Sequence, residues 1–427
     1  MAQNSIESFK TWLVYFMLLI YLVLSPVSGM LAVMGILPTI PWIYLILLLL
    51  LIYLFIKLLQ VIYQQPSSNK DIYYFFALVI LCYIIYAELI SGWLLARSIP
   101  GAAEAIQTLL AGTVILFMVL FIAGGKLGDL YKLFQKPGVK ITTVSLYLFF
   151  SAAIYWTAIM ISSSLQNSSV VTLDARFNYL MISDTLVIFT LLIMWLLIKN
   201  TTLRWIVAFN SIALLYITRS RTAFFLFIFC LFISFLIQSR NKKNWLILGI
   251  GAVLFLLLGG SDFIFSNKTG IIFSLIFDTA SDESYIARQQ LLVSGMGYLK
   301  DYWLLGLPLA EIWHGGPGEY MHNYLSFWVC FGIIPFFSFI ALSFHNFGRL
   351  FILMRANPAS GPVMFLVSYF LFVYLGIISS RSYIYPYVWA CLAAVPVFYQ
   401  QHFKTAGLIQ NDAEVTGGNK TAPWGLN

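Results

Sequence analysis

Residues 41–60 read PWIYLILLLLLIYLFIKLLQ, a run in which Lys57 is the only charged residue. A helix needs about 20 apolar residues to cross the hydrocarbon core of a membrane, so this run predicts a transmembrane helix. The same criterion predicts twelve spans, which begin near residues 11, 41, 72, 107, 141, 179, 203, 222, 245, 322, 362 and 386. We therefore expect an all-α, polytopic integral membrane protein with about 12 transmembrane helices, the last of them short, tilted or partly re-entrant.

The composition agrees with this fold class. Of the 427 residues, 61% are hydrophobic and 9% are charged, whereas a soluble domain carries about 25% charged residues. The net charge of +8 is better explained by loop lysines beside anionic lipid headgroups than by nucleic acid, and we expect no nucleic-acid partner. The four cysteines lie in apolar runs without a CxxC pair, so we expect small core side chains and no disulfide or metal site.

The cations indicate the orientation of the chain. With the N-terminus inside, 16 cations, 12 of them lysine, fall on inward segments and 8 on outward segments. Because cytoplasmic loops carry an excess of lysine and arginine, we expect both termini in the cytoplasm. Six of the eight outward cations are arginines, whose planar fork of donors suits phosphate: Arg97, Arg176, Arg219, Arg221, Arg288 and Arg381.

One connection is long. Residues 260–321 form a predicted outer loop between the ninth and tenth spans, and loops of that length are usually functional. Apolar residues recur at helical spacing from Glu283 to Tyr302, which predicts an amphipathic helix along the membrane surface. We expect residues 1–404 to form the transmembrane domain and residues 405–427 a disordered cytoplasmic tail.

The joint between the seventh and eighth spans reads Arg219-Ser220-Arg221-Thr222. Two arginines and two hydroxyls beside a helix N-terminus are suited to binding an anion. The alternative is a pair of arginines that extend to the lipid headgroups.

The outer loop and its exit supply the next candidates. Arg288 lies on the predicted surface helix, where it either binds the anion or forms a solvated ion pair. The loop ends in Glu319-Tyr-Met-His322-Asn323, and His322 is either a general base or a hydrogen-bonded structural residue. The second His-Asn pair, at His345, lies beside inward cations and is the weaker candidate.

Two further candidates come from other spans. Acids within membrane spans are costly and tend to be functional or paired. Asp184 could pair with Arg176, eight residues earlier, or orient another residue. Arg381 follows the eleventh span on the outer side and could join the arginine cluster.

These motifs together resemble the O-antigen ligase and O-antigen polymerase superfamily. The resemblance rests on the Ser-Arg-Thr-Ala joint at residues 220–223, the outer loop with its arginine, and His-Asn-Tyr-Leu at residues 322–325. It covers residues 206–332 with motifs and the N-terminal half only in hydropathy. From Gly306 onward the chain matches the family's glycine-rich stretch loosely, and His314 there could compete for the catalytic role.

The resemblance implies a glycosyltransferase of the bacterial inner membrane. Such an enzyme moves a glycan from undecaprenyl diphosphate to an acceptor sugar hydroxyl at the periplasmic face, by a single inverting displacement without a metal or other cofactor. The implied catalytic residues are His322 as general base with Arg221 and Arg288, and the implied substrate-binding residues are Arg219, Arg176, Arg381, Asn323, Glu319 and His314.

Three functions stay open on the sequence. We favour a polymerase, because the outer loop is net acidic and a phosphorylated lipid A-core acceptor would suit a basic one. The alternatives are a ligase that joins the glycan to lipid A-core and a transporter of the lipid-linked glycan. The expected partners are the carrier-linked glycan, an acceptor glycan or lipid A-core, membrane lipids and, as a candidate, a chain-length regulator.

Overall fold

A computed structural model describes residues 2–33, 36–38, 40–63, 72–98, 103–164, 179–218, 220–238, 283–309, 321, 323–381 and 385–416. Throughout these ranges the secondary structure is helical, without strands. The α-helices are α1 (Ala2–Leu19), α2 (Ser25–Val33), α3 (Trp42–Tyr63), α4 (Ile72–Ser98), α5 (Ala103–Gly125), α6 (Leu127–Phe134), α7 (Pro137–Ser164), α8 (Tyr179–Leu192), α9 (Thr201–Ile217), α10 (Arg221–Gln238), α11 (Glu283–Tyr302), α12 (Leu325–Phe331), α13 (Ile333–Ala356), α14 (Gly361–Ser379) and α15 (Tyr387–Thr416). Two π-helical turns, Ile20–Leu24 and Ile193–Leu197, link α1 to α2 and extend α8.

The predicted α-helical membrane protein is confirmed, whereas the predicted count of twelve spans is not. Among the described residues, eight helices are long and apolar enough to cross a membrane, or nine if Thr113–Gly125 and Leu127–Phe134 form one bent span. Helix α9 is apolar but shorter. The span predicted from residue 245 and most of the predicted outer loop lie outside the described residues.

The spans differ in how much of their surface the bundle covers. The span Leu180–Leu197 is 89% buried within the protein, whereas Trp42–Gln60 is 17% buried. Helix α8 is therefore at the centre of the bundle, and α3 lies at its periphery with leucines available to lipid. Of the four free cysteines, Cys82 is exposed and the other three are buried, as expected for small apolar side chains.

The span predicted from residue 107 is broken at Lys126. Helices α5 and α6 meet there at an angle of 71°. Gly124 packs so tightly against the backbone of Ala390 that a Cβ at position 124 would lie 2.3 Å from the Ala390 carbonyl oxygen. The close approach of α15 and the turn at Lys126 thus direct α6 away from the axis of α5.

The tenth predicted span is also broken, at Gly332 between α12 and α13. Gly332 has φ of 81°, a left-handed conformation that glycine adopts without a Cβ penalty. A Cβ at Gly332 would lie 2.2 Å from the carbonyl oxygen of Leu304. Gly306, which follows α11 and has φ of 74°, packs against the backbone of Gly332. The Leu307 N–H also donates to the carbonyl of Val329 (2.7 Å). We call this crossing the glycine joint; it fixes the end of α11 to the start of α13.

The helix predicted in the outer loop is present as α11, with the predicted bounds Glu283–Tyr302. Helix α15 continues to Thr416 and so includes residues 405–416, the first part of the predicted cytoplasmic tail. Alanine, leucine and glutamine in this stretch favour a helix. Residues 417–427 lie outside the described part of the chain.

Opposite ends of the bundle carry different cations. At one end, Lys126 donates to Glu7 (2.7 Å) and to Asp129 (3.1 Å), and Lys10 donates to Glu7 and to Gln60. We call this the lysine-rich end. Helix α15 packs on α6 at this end. His402 on α15 hydrogen-bonds Asn357 (3.1 Å), which lies between α13 and α14. Helix α13 therefore ends, and α14 begins, at the lysine-rich end.

Candidate functional site

Two of the predicted arginines lie at the ends of neighbouring antiparallel helices: Arg221 begins α10, and Arg381 follows α14. Ser234 on α10 hydrogen-bonds Ser368 on α14 (2.6 Å), and about two turns nearer the arginines Leu226 lies against Gly376. Arg221 is 13 residues before Ser234, and Arg381 is 13 residues after Ser368. The two stretches are helical from their serines as far as Arg221 and Ser379, so the start of α10 and the end of α14, which Arg381 follows by two residues, lie at the same end of the bundle. We call this the arginine end.

Arg381 forms a buried ion pair with Asp184 on α8. Its Nε and Nη2 donate to the two carboxylate oxygens at 2.8 and 2.7 Å, and the side chains of Arg381 and Asp184 are 8% and 4% exposed. The third nitrogen lies 3.3 Å from the Ser380 hydroxyl. The predicted partner of Asp184, Arg176, lies outside the described residues. Arg381 therefore uses two of its three guanidinium nitrogens to bind Asp184. This pairing holds the guanidinium in one position within the site.

Hydroxyl groups surround this pair. Ser183 hydrogen-bonds Thr218 at the end of α9 (2.9 Å), and Thr185 hydrogen-bonds the Tyr387 hydroxyl (2.8 Å). The Tyr385 ring lies under the Arg381 guanidinium, 5.9 Å from its carbon. Burial raises the pKa of the Tyr385 hydroxyl well above its usual range, so this group stays protonated. The hydroxyl groups tie α8, α9 and the start of α15 together around the ion pair.

Ser220 supplies a buried hydroxyl at the start of α10. Its side chain is fully buried, and within the described part of the chain its Oγ has no hydrogen-bond partner. Its carbonyl accepts the Phe224 N–H (3.0 Å), which is the first hydrogen bond of the helix. An unpartnered hydroxyl at a helix N-terminus, next to Arg221, is suited to donating to an anion.

Arg288 lies on the packed face of α11. Arg288, Leu292, Gly295 and Leu299 recur at helical spacing and are all at least half-buried, whereas Val293 on the opposite face is 72% exposed. This periodicity is that of a helix with one covered face. Because Arg288 is on that covered face, it points toward the protein and not toward open solvent.

The covered face of α11 packs on the chain next to His322. Gly295 allows the Met321 side chain to approach it closely, and Met321 is buried with Leu299 and Val329. After His322, the Asn323 side-chain oxygen accepts the Leu325 N–H (2.9 Å), which closes an Asx turn at the start of α12. Asn323, predicted to bind substrate, thus has a structural contact through its amide oxygen.

Helix α12 lies at the arginine end. Helices α13 and α14 run antiparallel, as ring contacts of Phe339 with Tyr374 and of Phe347 with Phe370 show. The start of α13 is therefore level with the end of α14, where Arg381 follows. The structure accordingly brings Arg221, Arg381 and the flanks of His322 to one end of the bundle.

The remaining predicted site residues lie outside the described part of the chain: Arg176, Arg219, His314, Glu319 and His322. His345 stacks on Tyr73 with ring centroids 3.6 Å apart, near the lysine-rich end and away from Arg381. Sequence reasoning missed Ser183, Thr185 and the tyrosines after Arg381. The alternation of tyrosine at 383, 385 and 387 directly after an outward arginine was the signal available.

No protein-family model matches the chain, and no curated protein matches it in sequence.

Proposed function

We propose that the protein is an O-antigen polymerase-like glycosyltransferase. It transfers an oligosaccharide from undecaprenyl diphosphate to an acceptor sugar hydroxyl, and the arginine end faces the periplasm of a bacterial inner membrane. The observation that carries the proposal is the placement of Arg221 and Arg381 at the same end of neighbouring helices. Cations gathered at one end of membrane-spanning helices suit a lipid-linked diphosphate.

Arg221 and Arg288 have different tasks from Arg381 in this proposal. Arg381 is held by Asp184 and fixes the packing of α8 against the end of α14. Arg221, with the Ser220 hydroxyl beside it, donates to the diphosphate. Arg288 approaches from α11, which packs on the residue before His322.

The proposed reaction is one displacement at the anomeric carbon. The acceptor hydroxyl oxygen attacks C1 of the donor sugar while the His322 imidazole takes the hydroxyl proton. The C1–O bond to the diphosphate breaks, and its electron pair leaves with the diphosphate. Negative charge grows on the leaving group as the bond breaks, so donors aimed at it stabilise the transition state more than the ground state.

The first test is a transfer assay with purified protein and carrier-linked repeat units, read by mass spectrometry. We expect carrier-linked multimers without added lipid A-core. His322→Ala should lower the transfer rate by about 10²–10⁴-fold, the range for loss of a general base. His345→Ala is the matched control, since the same His-Asn dipeptide lies there on α13, and it should transfer at the wild-type rate.

The other outcomes separate the alternatives. Products that form only when lipid A-core is supplied would indicate a ligase. Movement of labelled lipid-linked glycan across liposomes, without a new glycosidic bond, would indicate a transporter. Equal activity of His322→Ala and wild type would remove the histidine from the mechanism.

A further inference from the structure

An apolar groove runs along the lipid-facing side of the bundle between two membrane helices. Its cavity volume is about 710 Å³, within the range of small-molecule sites. One wall is a face of α4 and the other a face of α13, and the side chains along them include Phe76, Ile80, Tyr83, Ser338, Ala341 and Leu342.

The groove is as long as one lipid leaflet is deep. It extends along α4 from Tyr73 to Tyr83 and along α13 from Ile334 to His345. Ten or eleven residues of helix rise about 15–17 Å, which is roughly half of the ~30 Å hydrocarbon core. A single acyl chain fits this length, whereas a polyprenyl chain of many isoprene units would extend beyond it.

The two ends of the groove differ in polarity. At the arginine end it is lined by Leu304 and Leu305, next to the glycine joint. At the other end it is closed by His345, whose ring stacks on Tyr73. A ligand with an apolar tail and a polar head would therefore place its head beside His345.

A cation is fixed next to that polar end. Arg349 is one helical turn beyond His345 on α13, and its guanidinium carbon lies 4.7 Å from the centre of the Tyr73 ring and 5.0 Å from that of Tyr399. Such contacts hold a guanidinium in place while its edge can still donate hydrogen bonds. A basic pocket between transmembrane helices is the kind of site that binds an anionic lipid headgroup.

We propose that this groove binds an anionic phospholipid of the leaflet at the lysine-rich end. One acyl chain lies between α4 and α13, and the headgroup phosphate lies at His345 and Arg349. Charge complementarity selects an anionic headgroup, and the apolar end at Leu304 and Leu305 excludes a diphosphate there. This site is separate from the proposed transfer reaction and does not depend on it.

Native mass spectrometry of the full chain in detergent tests the proposal, with phosphatidylglycerol or phosphatidylethanolamine added as the probe. Wild type should keep one phosphatidylglycerol at an occupancy roughly fivefold above phosphatidylethanolamine, the preference expected from one cation near the headgroup. Arg349→Gln should abolish that preference. Arg355→Gln is the matched control, because Arg355 is exposed on the same helix and contacts Phe351, and it should leave the preference intact.

A second pair of variants tests the acyl-chain position. Ala341→Trp fills the groove and should lower retention of both lipids, whereas Phe344→Trp, at a position 72% exposed on α13, should not. Equal retention of phosphatidylglycerol by wild type, Arg349→Gln and Ala341→Trp would overturn the proposal. So would equal binding of the two phospholipids by wild type, or displacement of bound phospholipid by a polyprenyl phosphate. If Arg349→Gln does not yield folded protein, His345→Gln gives the same comparison of headgroups.

Discussion

The two ends of the bundle hold their charges in opposite ways. At the lysine-rich end, Lys10 and Lys126 share the Glu7 carboxylate, whose side chain is 42% exposed. At the arginine end, Arg381 binds Asp184 through two nitrogens, and both side chains are less than a tenth exposed. The first network is open to solvent at its carboxylate, although the Lys10 side chain is buried, and the second is closed off from solvent at both partners. Lysine suits the first role and arginine the second.

The largest effect should come from breaking the buried ion pair of Asp184 and Arg381. Asp184→Ala leaves the Arg381 guanidinium buried without its carboxylate, which should lower the free energy of unfolding by about 3–5 kcal/mol. Thermal unfolding of purified protein, followed by tryptophan fluorescence, measures this change.

The double variant Asp184→Leu with Arg381→Met is the control. Replacing both charges by apolar groups of similar volume should restore most of the stability. If the double variant is stable but inactive in transfer, Arg381 also acts on substrate; if it is active, the pair is structural. An unchanged unfolding temperature in Asp184→Ala would contradict the burial of the pair.

An intermediate effect should follow from exchanging the type of cation. Arg221→Lys and Arg288→Lys keep the charge but lose the bidentate fork. We expect the transfer rate to fall by roughly 10- to 100-fold, equivalent to the ~1.5–3 kcal/mol of a hydrogen bond to a charged group. Lys132→Arg, an exposed position near the lysine-rich end, is the reverse exchange and should change the rate less than twofold. Full activity in both lysine variants would mean that the arginines serve only as charges.

The smallest effect should come from the Glu7 network. Glu7→Gln removes the shared carboxylate, but Gln60 still accepts from Lys10, so the free energy of unfolding should fall by about 1–2 kcal/mol, less than in Asp184→Ala. The difference from wild type should shrink further at high salt, because this carboxylate is partly exposed. Unfolding curves at low and high salt measure it. A loss as large as that of Asp184→Ala would show that the two ends do not differ.

Local sequence patterns predicted what depends on local structure. Helix α11 could be predicted with both bounds, because apolar residues recur at helical spacing from Glu283 to Tyr302. The membrane class followed from apolar runs alone. In contrast, the turn at Lys126 and the break at Gly332 lie inside apolar runs, where hydropathy does not distinguish a bent helix from a straight one.

Long-range contacts were beyond the sequence. Asp184 and Arg381 are 197 residues apart, and nothing near either residue identifies the other. The nearer Arg176 was the better guess from spacing, since a pairing over such a distance depends on how α8 and α14 pack. The same holds for the Ser234–Ser368 contact, which joins residues 134 positions apart and sets the level of Arg221.

The alignment of Arg221 with Arg381 depends on the number of residues in each helix as well as on the side chains at these two positions. Thirteen residues separate each arginine from the serine contact on its own helix. Inserting or deleting one residue in either stretch would rotate the arginine by about 100° around the helix axis and move it about 1.5 Å along it. Substitutions between Arg221 and Ser234 can be absorbed by neighbouring side chains, but a change in the number of residues there would move Arg221 to another side of its helix.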